Sequence, residues 1–298
     1  MTSPVSVTDD DMPQLFQAAD RASTGAQEWF VRGTRFRLGL LVLAAAMGIA
    51  VWRVGAADID VLAIVSTVLF VLAILVEGVL WKSRPDKTWY DARAVAESAK
   101  TLAWKFAVRS EPFSDPSVDE ATMARRLLSR FDEIRRQFPD LELAAVNAQS
   151  ISPWMKRQRQ ADWPDRRSVY LRERLQNQKN WYEGKAGYNR GRSNQWRFAL
   201  IALEFLGFVA SLAAAFYEWT PMIAPVIAAL VAAVVAWLEA KQHDFNARAY
   251  AAAVHDLAQA EARLQLVRTE AEWATEVESA EEAISREHTL WLASRNGP

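Results

Sequence analysis

The chain has 298 residues, a formal net charge of −1 and no cysteine, which excludes disulfides and thiolate chemistry. No global attraction to nucleic acid is expected at this charge, and nucleic acid is not a predicted partner. The three histidines, His243, His255 and His288, form no HxxxH or HxH pair, so neither a metal site nor a cofactor is expected. Motifs for nucleophilic catalysis, phosphate binding or zinc-dependent hydrolysis do not occur, so the chain is not expected to be an enzyme.

Four apolar runs interrupt this polar chain, at about 36–54, 59–80, 198–216 and 222–238. Each has about the 17–25 residues needed to cross a hydrocarbon core of ~30 Å. The first run follows a polar segment that includes Asp9, Asp10 and Asp11, so we do not interpret it as a signal peptide. The alternative is that these runs are buried helices of a soluble protein. Several buried helices of this length with almost no polar residues would be unusual in a chain of this size.

The runs are paired by short links at 55–58 and 218–221, which predicts two helical hairpins. The links and their edges carry one basic residue, Arg53, beside the acids Asp58, Asp60 and Glu218. The opposite ends of the runs are flanked by basic residues: Arg32, Arg35, Arg37, Lys82, Arg84, Lys87, Lys185, Arg190, Arg192, Arg197, Lys241 and Arg248. Positive charge is retained on the cytoplasmic side, so both termini and the middle segment are expected there.

Tryptophans mark the expected membrane boundaries. The predicted interfacial anchors are Trp52 and Trp219 at the outer ends of the runs and Trp81, Trp196 and Trp237 at the inner ends. Amphipathic aromatic rings are enriched at this depth of a bilayer.

The remaining segments have helical periodicity. Apolar residues Val95, Ala99, Leu102 and Phe106 predict a helix over 89–109. A capping box of Ser117 and Glu120 predicts a second helix through about 137, followed by a looser linker at 139–164. Residues 165–197 are expected to be helical and to continue into the third run.

One long helix is predicted over 241–285, because apolar residues recur there at steps of mostly three and four. Its stripe is Tyr250, Val254, Leu257, Leu264, Val267, Ala271, Ala274, Val277, Ala280 and Ile284. Packing against the same chain and an intersubunit coil are both consistent with this stripe.

These elements predict an all-α integral membrane protein with four spans in two hairpins, whose helices extend into a cytoplasmic helical bundle. YDARAVAES at 90–98 and FNARAYAAA at 245–253 each follow a hairpin, which indicates a parallel internal repeat. The predicted units are therefore 1–137 (hairpin 36–80, helices 88–137) and 165–298 (hairpin 198–238, helix 241–285), joined by a linker at 138–164.

Two carboxylates, Glu77 and Glu204, lie inside apolar runs. Ionisable residues in membrane helices usually face a bundle interior or a water-filled path, so both are candidates for an acidic ring at the cytoplasmic mouth of a cation pathway. The alternative for each is a hydrogen bond to a neighbouring helix or a side chain that reaches the interface. Small residues could permit close packing between the helices of a hairpin: Ala44, Ala45, Ala46, Gly48, Gly207, Ala210 and Ser211.

A polar seam precedes the third run, formed by Leu171, Leu175, Gln178, Tyr182, Lys185 and Asn189 at helical steps. With Trp181, its residues Gln178, Tyr182, Lys185 and Asn189 are candidates for a juxtamembrane collar, since buried polar residues fix helix register. The alternative is packing within the chain. Three glycines, Gly184, Gly187 and Gly191, would suit a close backbone crossing beside the seam.

The stretch YLRERLQNQKNWYEGKAGYN, followed by a membrane hairpin, resembles the opening of SLATT domains, which are two-transmembrane effector domains associated with SMODS nucleotidyltransferases and SLOG sensors in bacteria. The residues that carry the resemblance are Arg174, Leu175, Gln178, Trp181, Tyr182, Lys185, Ala186 and Asn189, with Glu278, Glu287 and Trp291 near the end. RAVAESAKTLAWKFAVRSEPF at 93–113 resembles a sister branch, so the chain is similar to two tandem SLATT-like units.

The resemblance implies a membrane pore or channel that acts when nucleotide-signalled bacterial defence is triggered. The predicted location is the bacterial inner membrane, and the expected partners are lipid, further copies of the chain, and a nucleotide second messenger or a cytoplasmic sensor protein. One four-span chain has too few helices to enclose a wide pore, so a homo-oligomer is expected. A non-conducting anchor or scaffold that recruits a cytoplasmic partner is the alternative.

Overall fold

The computed structural model describes residues 6–216 and 223–295, with side chains through 285. A short 3₁₀ turn at Asp9–Asp11 precedes the first helix. The helices are α1 (Gln14–Ile49), α2 (Val61–Ser83), α3 (Pro85–Ala107), α4 (Glu120–Gln137), α5 (Pro153–Gln160), α6 (Trp163–Val169), α7 (Asn177–Ala214), α8 (Ile223–Lys241), α9 (His243–Leu266) and α10 (Glu270–Arg295). A π-helical segment, Tyr170–Gln176, joins α6 to α7, and two short strands, β1 (Arg53–Val54) and β2 (Ile59–Asp60), join α1 to α2. The all-helical fold class is confirmed.

The chain divides into two compact units. The first, which we call the core unit, comprises Met1–Ala26, Asp86–Ala186 and Arg248–Pro298. The second, which we call the span unit, comprises Gln27–Pro85 and Gly187–Ala247. Each unit therefore combines residues from both of the tandem halves predicted from the sequence.

Three helical stretches are long and apolar enough to cross a membrane, and they contain α2, α7 and α8. They correspond to the second, third and fourth predicted spans. The first predicted span, 36–54, is not among them, because α1 ends at Ile49 and Arg32, Arg35 and Arg37 lie in its preceding turns. The 14 helical residues from Phe36 onward extend only about 21 Å, less than a hydrocarbon core of ~30 Å.

A two-stranded antiparallel turn forms the first predicted outer link. Arg53 pairs with Asp60 and Val54 with Ile59, while Gly55 at the turn has a φ of 78° that glycine adopts without strain. Asp60 then caps α2, accepting from the backbone N–H groups of Leu62 (3.0 Å) and Ala63 (3.3 Å). The second predicted link, 218–221, lies outside the described residues.

Small residues bring helices of the span unit together, as the sequence predicts. Ala44 is fully buried, and its carbonyl oxygen accepts a hydrogen bond of 2.8 Å from the hydroxyl of Ser66 on α2. A methyl group added at Gly207 would lie 3.3 Å from Ile227 on α8, so glycine permits a close approach there.

Aromatic side chains form the centre of the core unit. Trp104 on α3 packs edge-to-face on Trp154 (centroids 4.8 Å apart) and on Tyr170 (6.0 Å), and Tyr170 packs in the same way on Trp273 (5.6 Å). The predicted helix over 89–109 is confirmed by α3, on which Val95, Ala99 and Phe106 are buried. Such pairs each contribute about 0.5–1.5 kcal/mol beyond the area they bury.

The predicted helix is present as α4, but the prediction that Ser117 caps its N-terminus is wrong. Asp119 is the N-cap, because its carboxylate accepts from the backbone N–H (3.0 Å) and the hydroxyl (2.7 Å) of Thr122. These hydrogen bonds hold the pKa of Asp119 below its usual range. Ser117 instead donates its hydroxyl to Asp115 at 2.6 Å within the preceding turn.

The segment 138–164, predicted to be a linker, contains α5 and contributes to the hydrophobic core. Ser152 caps α5 by accepting from the backbone N–H of Met155 at 3.2 Å, and Met155 itself is fully buried. Arg159 is also buried, with one guanidinium nitrogen donating to the carbonyl oxygens of Phe106 (2.9 Å) and Phe113 (3.1 Å). Packing therefore fixes a segment whose composition is typical of a linker.

The long helix predicted over 241–285 is divided into α9 and α10. Arg167 reaches the break and donates to the carbonyl oxygens of Leu264 and Gln265, both at 3.0 Å. Thr269 and Glu272 form a capping box that starts α10. Most of the predicted stripe is buried within the core unit, so it packs against its own chain; Ala271 is the exposed member.

A shared joint supports the internal repeat. Arg84 between α2 and α3 and Gln242 between α8 and α9 both have left-handed backbone, with φ of 42° and 48°. The N–H of Arg84 donates to Leu80 O at 2.9 Å, and that of Gln242 donates to Leu238 O at 2.8 Å. Each apolar helix therefore ends in the same conformation, directly before a polar helix.

Candidate functional site

Three helices of the span unit present large apolar side chains to their surroundings. On α7, Phe198, Ile201, Phe205 and Phe208 are all more than 60 % exposed. None of the most apolar stretch of that helix is buried, and only 11 % and 6 % of the corresponding stretches containing α2 and α8 are buried. Soluble monomers rarely expose continuous apolar surface on this scale, so the geometry and composition indicate a membrane protein.

Glu77, the first predicted ion-path carboxylate, forms a salt bridge to Arg37. The pair links α2 to α1, with the side chain of Arg37 29 % exposed and that of Glu77 55 % exposed. This contact matches the alternative interpretation, in which the carboxylate binds a neighbouring helix.

Glu204, the second candidate, has different surroundings. It is exposed on α7, between the exposed side chains of Ile201, Phe205 and Phe208. In the described parts of the chain, 6–216 and 223–295, Glu204 makes no hydrogen bond or ion pair. A carboxylate on an apolar surface of a span is costly, by about 2.5–3.5 kcal/mol for a charge at the helix centre.

The predicted collar residues on α7 are only partly brought together. In the core unit, Tyr182 is fully buried and stacks on Tyr250 of α9, with ring centroids 5.7 Å apart. Trp181 contacts the same Tyr250 ring edge-to-face at 5.4 Å, and the ammonium of Lys185 lies 5.5 Å from the Trp181 ring centroid. Gln178 is half-buried one turn earlier.

Asn189, the last predicted collar residue, belongs to the span unit. It is 7 % exposed, and Nδ1 of His243 donates to its side-chain oxygen at 2.7 Å. This hydrogen bond joins α7 to the first residue of α9. The sequence argues against a metal site at His243 but does not indicate its contact with Asn189.

The described residues make no close backbone crossing at the seam glycines. Gly184, Gly187 and Gly191 are exposed, and a methyl group added at any of them would have no atom within 4 Å among the described residues. Leu175 and Tyr182 are buried on the opposite side of the helix, so packing uses the large residues of the seam and leaves its glycines exposed.

The predicted tryptophan anchors have varied surroundings. Trp52 is 59 % exposed and Trp81 is 82 % exposed, while Trp196 is half-buried. Trp237 is buried, with the guanidinium of Arg35 at 4.8 Å and the ammonium of Lys241 at 5.3 Å from its ring. Trp219 lies outside the described residues.

Sequence reasoning missed a buried charge network in the core unit. Glu281 on α10 is fully buried and accepts from Arg174 through Nε (3.0 Å) and Nη2 (2.8 Å), from the Tyr170 hydroxyl (3.0 Å) and from the Thr101 hydroxyl (3.0 Å). Arg174 is itself 2 % exposed. The network joins α3, the π-helical segment and α10. The sequence contains one indication that Glu281 is buried, because it lies four residues after Val277 and therefore on the apolar stripe of its helix.

The π-helical segment places several of these residues on one face. A π-helix has a wider turn than an α-helix, with hydrogen bonds from residue i to i+5. Tyr170, Arg174 and Leu175 are consequently all buried. Single π-helical turns inside α-helices occur often at functional sites.

Comparisons with known protein families identify two related domains along the chain. Residues 13–167 match the model described as SMODS and SLOG-associating 2TM effector domain 3, and residues 170–291 match the model for effector domain 1 of the same series. Searches of curated proteins and of solved structures returned no match. Such domains are associated with bacterial defence systems. The first match alone spans more than half of the 298 residues, and the chain therefore belongs to the SLATT family, with two SLATT domains in tandem.

Proposed function

We propose that this protein assembles into an oligomeric membrane pore or ion channel that is gated through its polar helices and acts as an effector of nucleotide-signalled bacterial defence. The SLATT domains support the defence context, and the exposed apolar helices support membrane insertion. The proposed location is the bacterial inner membrane, with both termini in the cytoplasm, as the distribution of basic residues favours.

Glu204 carries the proposal. A single copy of the chain leaves this carboxylate on an apolar surface without a partner among the described residues. Several copies arranged in a ring would bring their Glu204 side chains around a shared, hydrated path. An acidic ring of this kind attracts cations and provides their selectivity in many channels.

Gating through polar helices is supported by the helices that have residues in both compact units. Helices α1, α7 and α9 each contribute residues to both the core unit and the span unit. A nucleotide second messenger or a cytoplasmic sensor protein that changes the packing of the core unit would therefore act on helices that continue into the span unit. Gln178, Trp181, Tyr182, Lys185 and Asn189 lie along that part of α7.

The second candidate is a non-conducting membrane anchor that recruits a cytoplasmic partner. The observation that favours it is the salt bridge between Glu77 and Arg37, which gives one of the two predicted ion-path carboxylates a structural role.

Recordings from the purified full chain in planar bilayers distinguish the two functions. For a pore, we expect cation currents whose selectivity falls in Glu204→Gln and is retained in Glu204→Asp, which keeps the charge. Phe205→Leu is the matched control, because Phe205 is the adjacent exposed residue on the same helix and carries no charge. A correctly assembled oligomer that passes no current with any tested nucleotide would favour the anchor. Currents unaffected by Glu204→Gln would contradict the acidic ring.

A further inference from the structure

The core unit contains a polar cavity of about 300 Å³ that the proposed pore function does not use. Its walls come from the N-terminal 3₁₀ turn, α1, α3, the π-helical segment and the start of α7. A volume of this size lies at the lower end of the range typical for small-molecule sites. All of the lining residues belong to the same compact unit.

Acidic groups outnumber basic groups in the cavity wall. Four carboxylates line it, together with three cationic side chains: Asp9, Asp20, Glu97 and Glu173 against Arg93, Lys100 and Arg174. The guanidinium of Arg174 is already neutralised by Glu281. An anion in this cavity would therefore meet excess negative charge, whereas a cation would be attracted.

Asp20 is the carboxylate whose charge is least compensated. Lys100 lies 2.9 Å from Asp9, Arg93 lies 2.7 Å from Glu97, and Arg172 donates to Glu173 at 2.8 Å. The nearest basic group to Asp20 is Arg93 at 3.9 Å, and Asp20 accepts no hydrogen bond among the described residues.

Burial of Asp20 explains why this position favours a ligand cation. Desolvation raises the pKa of Asp20, and the charges of Asp9 and Glu97 act in the same direction, while Arg93 and Lys100 lower it. A positive group placed beside the carboxylate would offset the desolvation cost.

Hydrogen-bond donors without acceptors also occur among the lining residues. Within the described residues, Nε1 of Trp104 and Nη1 of Arg174 have no hydrogen-bond partner, but both atoms are enclosed by protein and not exposed to the cavity. Gln178 lines the same cavity, and its amide makes no hydrogen bond within the described part of the chain. A partly buried donor without an acceptor is costly, so a neutral ligand oxygen placed beside the Gln178 amide would be stabilising.

We propose that this cavity binds a small organic cation that also carries neutral oxygen acceptors, such as a hydroxylated amine. The ammonium group pairs with Asp20, and the hydroxyl or carbonyl oxygens accept from the side-chain amide of Gln178. Phosphorylated ligands are disfavoured by the surrounding carboxylates. The cavity is therefore distinct in chemistry from a nucleotide site.

A matched series of probes tests this assignment by calorimetry on the detergent-solubilised full chain. At near-neutral pH, where Asp20 is ionised and the amines are protonated, we expect glucosamine and ethanolamine to bind, glucose to bind at least tenfold more weakly than glucosamine, and glucose 6-phosphate not to bind. Concentrations up to about 10 mM are sufficient to fill a site with millimolar affinity.

Two cavity variants and one control localise the binding. Asp20→Asn should weaken glucosamine binding about tenfold, or 1.4 kcal/mol. Gln178→Leu should weaken glucosamine and glucose to a similar degree, because it removes a donor to oxygen. Asp132→Asn, an exposed carboxylate on α4 outside the cavity, should change neither affinity. The proposal is overturned if neither amine binds to the folded chain, if glucose 6-phosphate binds more tightly than glucosamine, or if Asp20→Asn binds glucosamine as wild type does.

Discussion

Replacing Glu281 with alanine should severely destabilise the core unit. The substitution removes the acceptor of four hydrogen bonds and leaves the guanidinium of Arg174, only 2 % exposed, without its counter-charge. Breaking a buried ion pair by removing one partner costs about 3–5 kcal/mol. The hydroxyls of Tyr170 and Thr101 also lose their acceptor, which favours the upper end of that range. A loss of this size is a large fraction of the 5–15 kcal/mol that typically stabilises a protein.

Urea unfolding of the detergent-solubilised full chain, followed by tryptophan fluorescence, measures this loss. Trp104 and Trp273 pack on Tyr170 at centroid distances of 6.0 Å and 5.6 Å, so their emission reports on the neighbourhood of Glu281. Glu276→Ala is the matched control on the same helix, because its salt bridge to Arg263 is 3.1 Å long but partly exposed. Exposed pairs contribute less than about 1 kcal/mol.

Replacing both members of the ion pair tests whether the instability of Glu281→Ala comes from the uncompensated charge of Arg174 or from a general loss of packing. Arg174→Met with Glu281→Leu fills similar volume without any charge, and such replacements are often neutral or stabilising by about 1–4 kcal/mol. We therefore expect the double variant to be more stable than Glu281→Ala. The reasoning would be refuted if Glu281→Ala matched the Glu276→Ala control, or if the double variant were the less stable of the two.

Four further predictions follow from particular contacts. Met155→Ala should lower the free energy of unfolding by about 2–5 kcal/mol in the same urea assay, since Met155 is fully buried; a flexible linker would show almost no change. Gly207→Leu should destabilise the packing of α7 on α8 by about 1–3 kcal/mol in detergent-induced unfolding. Gly191→Leu should not, because a methyl group added at Gly191 has no described residue within 4 Å. Burial raises the pKa of Asp20, so its ionised form costs stability at neutral pH. Asp20→Asn should be more stable than wild type there, and the difference should shrink as pH falls below the folded pKa and disappear below the ordinary value of 3.8. Hydrogen bonds from Thr122 lower the pKa of Asp119, so Asp119→Asn should be less stable at neutral pH, with the difference lost on acidification.

The sequence predicted features that depend on residues close together in the chain. Apolar runs identified three helices that are long and apolar enough to cross a membrane, and the spacing of Val95, Ala99 and Phe106 identified the buried face of α3. Such patterns are readable because a helix repeats every 3.6 residues. The break before α10 also had a local signal, since Thr269 and Glu272 have capping-box spacing, but the apolar stripe continued across it at helical steps.

Features that depend on distant residues could not be predicted. Arg174 and Glu281 are 107 residues apart, and Arg37 and Glu77 are 40 apart, so no local pattern indicates that they pair. The first predicted span is not confirmed, for a related reason. Its apolar composition extends to residue 54, but antiparallel pairing of Arg53 with Asp60 removes the last residues from the helix.

Glu204 differs from three other carboxylates of the chain, each of which has a partner. Glu281 is buried with four donors, Glu77 is paired with Arg37 across two helices, and Asp60 accepts from backbone N–H groups at the start of α2. In each case the chain supplies the partner that a low-dielectric setting requires. Glu204 has apolar neighbours and no such partner among the described residues, although α7 is one of the helices long enough to span a bilayer. A second copy of the chain, or water in a path between copies, would supply what this single chain does not. Conductance and assembly are therefore best tested at Glu204, since a change at Glu77 would also break an internal salt bridge.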